Sequence, residues 1–101
     1  MKTQAFDWTN APRNNELALW GEIGNATRML VAENLQIELH QIPDDGNLVE
    51  LGMTSTGDEL MMKFLVGEAF FVGRKMPTLD FKRVQTFRQL VGYVNTNRPT
   101  P

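Results

Sequence analysis

An α+β fold is predicted by three features of this sequence. Apolar and polar residues alternate on both sides of a turn near residue 45, an N-terminal segment has helical spacing, and a C-terminal segment carries a long apolar stripe. With 101 residues, 42% of them apolar and 22% charged, the chain suffices for one core and is too hydrophobic for wholesale disorder. We expect an N-terminal arm over residues 1–12, a single α+β domain over 13–97 and a short tail over 98–101. The domain is expected to hold an N-terminal helix, an antiparallel sheet of three or four strands, and a C-terminal amphipathic helix packed on that sheet.

The elements follow in order. Asn10, Ala11 and Pro12 break the chain, and Pro12 suits a first helical turn. Leu17, Trp20, Ile23, Thr27 and Leu30 recur at near-helical intervals, which predicts a helix from about Asn15 to at least Ile23. Gly21, Gly24 and Asn25 weaken it, and residues 29–32 suit either its continuation or the start of a strand. Leu35, Ile37 and Leu39 alternate with Gln36, Glu38 and His40, then Val49, Leu51 and Met53 with Glu50, Gly52 and Thr54. The composition of residues 43–47 makes a turn. Parity then predicts a hairpin with Leu39 beside Leu51 and His40 opposite Glu50.

Residues 59–66 admit two readings. As a helix they have a Ser55 or Thr56 cap, acids in the first turn, and Leu60, Met61, Phe64 and Leu65 on one face. As a strand they form a nearly continuous apolar run, followed by a Gly67-Glu68 turn and a second strand at Phe70, Phe71 and Val72. The two-strand reading is preferred. After Pro77, Thr78 or Asp80 is expected to cap a helix to about Asn95, with Phe81, Val84, Phe87, Leu90, Val91 and Val94 in one stripe.

Most catalytic chemistry lacks its residues. There is no cysteine, one serine (Ser55, in a turn) and one histidine (His40, on a polar face), so a nucleophile beside a base is not provided for. No His-x-x-x-His or Glu-x-x-His pair suggests a metal, and Asp44-Asp45-Gly46 lacks the alternating ligands of a calcium loop. No phosphate-binding glycine loop is present. The chain is expected to be no enzyme and to need no cofactor. No apolar run approaches the ~18 residues of a membrane span, and a cytoplasmic protein is expected.

Charge is the stronger signal. Residues 1–67 carry four basic side chains against ten acidic, a balance of −6; residues 68–101 carry six against two, a balance of +4. The basic end holds Arg74, Lys75, Lys82, Arg83 and Arg88, expected on the last helix and its entry loop. Such a cluster calls for counter-charge, from the protein's own acidic sheet, a second subunit or an external partner, and an acidic protein surface is favoured over a phosphate backbone. Phe6 and Trp8 in the arm are the other candidate partner-binding residues.

The expected order of strands and then a helix entered through Met76-Pro77-Thr78-Leu79-Asp80-Phe81 is loosely similar to small single-strand DNA-binding coactivator domains. The strands nevertheless lack the lysine and aromatic interleaving that single-strand binding uses. In composition the chain resembles short acidic inhibitors of bacteriophages and mobile elements, and secretion chaperones. These readings point to a small non-catalytic binding protein acting by protein–protein contact, an inhibitor or adaptor of phage or mobile-element type with an acidic partner. A single-strand nucleic-acid module using the basic helix is the alternative. The apolar segment 59–72 exceeds what two helices would cover, which predicts a homodimer.

Overall fold

Helices, not a sheet, carry this fold. The computed structural model describes residues 13–99, and those residues form four α-helices with one isolated antiparallel bridge, Asn47 to Thr86, as the only strand-like pairing among them. The described residues make an all-α fold, which overturns the α+β expectation. The expected arm and the last two residues of the tail lie outside the described residues.

The predicted N-terminal helix is present but divided. Helix α1 spans Asn15–Trp20, capped by the Asn14 side chain, which accepts from the Leu17 N–H at 3.0 Å. Gly21 interrupts it in an extended conformation, and α2 spans Glu22–Leu35. The corner depends on Gly24. A Cβ there would sit 1.9 Å from the Leu19 carbonyl oxygen, so only glycine lets α2 meet the end of α1 so closely. Residues 29–32 continue α2 rather than begin a strand. The helix stops at Gln36, which adopts the left-handed conformation (φ 55°, ψ 49°) usual for a C-terminal cap.

The predicted hairpin does not form. Leu39–Gln41 is a single 3₁₀ turn, and Leu48–Gly52 is a run of turns in which the Asn47 carbonyl accepts from the Leu51 N–H at 2.9 Å. Leu39 and Val49 are exposed, whereas Ile42, Leu48 and Met53 are buried. A two-stranded hairpin is marginal without a third strand beside it. The segment expected to supply one is helical, and Arg28 on α2 has taken the Ile42 carbonyl at 3.3 Å. The turn at residues 43–47 is present, closed by Gly46 N–H to the Pro43 carbonyl at 3.0 Å.

Helix α3, Thr56–Phe70, replaces the two preferred strands. Its start is a capping box: the Ser55 hydroxyl accepts from the Asp58 N–H at 3.1 Å, and the Asp58 carboxylate accepts from the Ser55 N–H at 3.2 Å. Two otherwise unpaired donors are satisfied at once, which tips an ambiguous apolar run toward the helix. Helix α4 spans Phe87–Asn97 and begins nine residues later than Thr78, through a second box between Thr86 and Gln89. Before it, the Asp80 carbonyl holds Arg83 and Val84 in a turn. Phe81 and Val84 therefore lean on the core from the linker, not from the helix.

Helix α2 packs on α1, α3 and α4, and α1 also packs on α4. Phe87, Leu90, Val91 and Val94 of α4 are fully buried against Leu19, Ile23 and Val31. Helix α3 has its main helix contact with α2 alone. With no sheet, the likeness in layout to single-strand DNA-binding coactivator domains falls away. No helix among the described residues is long and apolar enough to cross a membrane.

Candidate interaction surface

Two arginines fasten the acidic loop to the helices. Arg28 lies 4.4 Å above the Phe87 ring and reaches Asp44 at 2.8 Å. The other oxygen of Asp44 accepts from the Trp20 indole at 3.1 Å. Arg88 grips both oxygens of Asp45, at 2.7 and 3.3 Å, and Glu16 at 2.7 Å. The Arg88 hydrogen bonds hold the Asp45 carboxyl below its ordinary value and raise the guanidinium pKa. Asp44 and Asp45 thus join α1, α2 and α4.

The five basic residues that the sequence put together are dispersed. Only Arg88 lies on α4, and its guanidinium is already engaged within the chain. Arg74, Lys75, Lys82 and Arg83 are exposed residues of the linker, 71–86, and no ion pair among the described residues includes them. Arg74 and Lys75 follow the end of α3; Lys82 and Arg83 flank the Asp80 turn, whose carboxylate accepts from the Lys82 N–H at 2.9 Å. The Tyr93 hydroxyl donates to the Pro77 carbonyl and pins the linker to α4. Burial of the phenol raises its pKa. Phe6 and Trp8 lie outside the described residues. His40 and Glu50 are both exposed, on separate turns rather than paired strands. No group of three or more His, Asp or Glu side chains among the described residues could hold a metal.

A surface that the sequence reading assigned to core strands lies on α3. Met62, Val66 and Phe70 recur at four-residue intervals and are buried. The opposite side presents Leu60, Met61 and Phe64 at 59, 49 and 60% exposure, with Val72 at 54% just past the helix end. At 100° per residue, the three helical positions fall within about one third of the circumference. They are three of the four residues expected on one face, and that face is the outer one. Leu17 and Trp20 on α1 are the other exposed pair within a helical turn, with the Trp20 ring tethered to Asp44. A sequence signal for the α3 surface exists: Ser55-x-x-Asp58 announces a helix, and the residues after it are apolar all round.

Beside this face runs an open groove of about 660 Å³. Phe64 and Val72 flank it, Phe71 and Met76 line it, and Gly67 leaves it without a side chain where a Cβ would lie 3.7 Å from the Met76 sulfur. Lys63 and Arg74 stand at the groove, with Glu68 as its one acid. No family model matches the chain, and neither a curated protein nor a solved structure matches it.

Proposed function

We propose that this chain is a non-catalytic binding protein that acts by protein–protein contact, as an inhibitor or adaptor, through the outer face of α3. The observation that carries the reading is the exposed set Leu60, Met61 and Phe64 on a helix whose other side already supplies the core. Single exposed apolar residues are ordinary. A contiguous set on one helix face, beside a groove, is the usual signature of a recognition surface. Arg74 and Lys75 adjoin it, which supports an acidic partner.

The test is affinity capture from host lysate with the wild-type chain and with a Leu60→Ser/Phe64→Ser double variant, followed by titration of the purified captured protein. A partner bound by the wild type and released by the variant, at an unchanged thermal midpoint, is the expected result. A partner held equally by both would move the binding surface elsewhere. A second copy of the chain as the captured species would make the contact a homodimer.

A further inference from the structure

The geometry points to an acidic amphipathic helix as the segment that α3 and its groove receive, a step that rests on the reading of the α3 face as a protein-binding surface. The groove offers an apolar seat between Phe64 and Val72, open because residue 67 has no side chain. Leu60, Met61 and Phe64 continue it along α3 as an exposed ridge. A helix with apolar residues at three- and four-residue spacing matches such a ridge and groove, whereas an added strand needs a sheet edge, and the described residues contain none.

Charge selects the sign. Lys63, its ammonium 6.0 Å from the Phe81 ring centroid, and Arg74 line the groove with Glu68 as the one acid, and Lys75 follows Arg74 in sequence. Among the described residues no carboxylate pairs with any of the three cations, while Arg28 and Arg88 elsewhere are paired. A partner helix with carboxylates beside its apolar stripe would supply the missing counter-charge. A second copy fits less well, because two-fold symmetry sets this patch against itself and brings like-charged rims together. A nucleic-acid backbone would meet the cations but leave Leu60, Met61 and Phe64 without apolar contact.

The experiment selects random peptides of about 16 residues, long enough for four helical turns, on the full chain. Single- and double-stranded oligonucleotides are assayed beside them, and every variant is checked for an intact amide spectrum. The expected peptides carry apolar residues at helical spacing flanked by Asp or Glu, and they shift the amide resonances of Lys63, Phe64, Val72 and Arg74. Their affinity should fall about threefold to tenfold with Lys63→Glu or Arg74→Glu, rise with Glu68→Lys, and fall with added salt. Uncharged or basic peptides shifting the same resonances would overturn the acidic partner and leave the protein-binding reading intact. So would a dimer, seen by sedimentation equilibrium, that buries those residues. Recovery of no peptide directed at α3, or oligonucleotide binding at these resonances, would overturn both.

Discussion

Helices α3 and α4 begin in the same way and are used differently. Each starts with a capping box, Ser55 with Asp58 and Thr86 with Gln89. Helix α4 buries a single stripe, and its outward residues include Arg88, held by Asp45 and Glu16. Helix α3 buries a stripe of the same kind and then repeats apolar side chains on the far side. Packing accounts for all the large apolar residues of α4 and for only part of those of α3. The remainder lies where burial offers the isolated fold nothing.

The largest effect that would sharpen this contrast comes from one phenylalanine in each helix. Phe87→Ala removes a fully buried ring and the seat of Arg28, and should lower unfolding free energy by about 3–5 kcal/mol in urea titration. Phe64→Ala should change it by less than about 0.5 kcal/mol. Comparable losses at both would show that Phe64 is part of the core, and the contrast would fail.

Capping should be equal in the two helices. Ser55→Ala and Thr86→Ala each remove one side of a box, and each should lower stability by about 1 kcal/mol, read from the same titration. In the other direction, Gly67→Ala adds a methyl at ordinary contact distance from Met76 inside α3 and should raise stability by about 0.5–1 kcal/mol. A loss there would mean that the helix and the linker are closer than the groove implies.

Acid should separate the helices by the smallest margin. The Asp58 carboxyl is held below its ordinary value of 3.8 by the Thr54 N–H first, then by the Ser55 N–H and hydroxyl. Asp45 is lowered chiefly by its hydrogen bond from Arg88. For such groups the unfolded chain binds protons more readily, so their stabilisation is present above about pH 4 and disappears as the pH falls through the folded-state value. Asp58→Asn and Asp45→Asn should therefore lower the thermal midpoint at neutral pH, and each difference from wild type should shrink in acid. A difference that stays constant with pH would assign the effect to shape rather than charge.

The same contrast explains what the sequence could reveal. The stripe Phe87, Leu90, Val91 and Val94 has one period and was legible as a buried helix face, although its first turn was placed too early because Thr78 and Asp80 resemble caps as much as Thr86 does. In α3, apolar residues occupy both faces, so periodicity could not distinguish helix from buried strand. Only Ser55 and Asp58 carried the distinction. The alternation at residues 35–40 and 49–53 did not mark strands: Leu35 ends α2, Leu39 and Val49 are exposed, and Leu48 is buried in their place. The candidate surface was half legible: the excess of apolar residues over 59–72 signals a face needing cover from outside the domain, but the strand reading does not single out Leu60, Met61 and Phe64 as that face. Arg88 was recognised as a cation seeking counter-charge, but its partners, Asp45 and Glu16, are 43 and 72 residues away in sequence.

The pairing of α1 with α4 has a consequence for how the chain folds as it is made. Helix α1 has six residues, too few to persist alone in water. Its start is held from the far end of the chain, by Arg13 donating to the Asn95 carbonyl at 2.6 Å and the Asn95 amide donating to Asn15 at 2.7 Å. During synthesis α1 precedes the other described helices and can be completed only after Asn95 follows, 82 residues behind Arg13. At roughly 5–20 residues per second that wait is about 4–16 s. Helix α2 packs on α3 through residues that all precede Asn95 in sequence, so that pair does not have to wait for the far end of the chain.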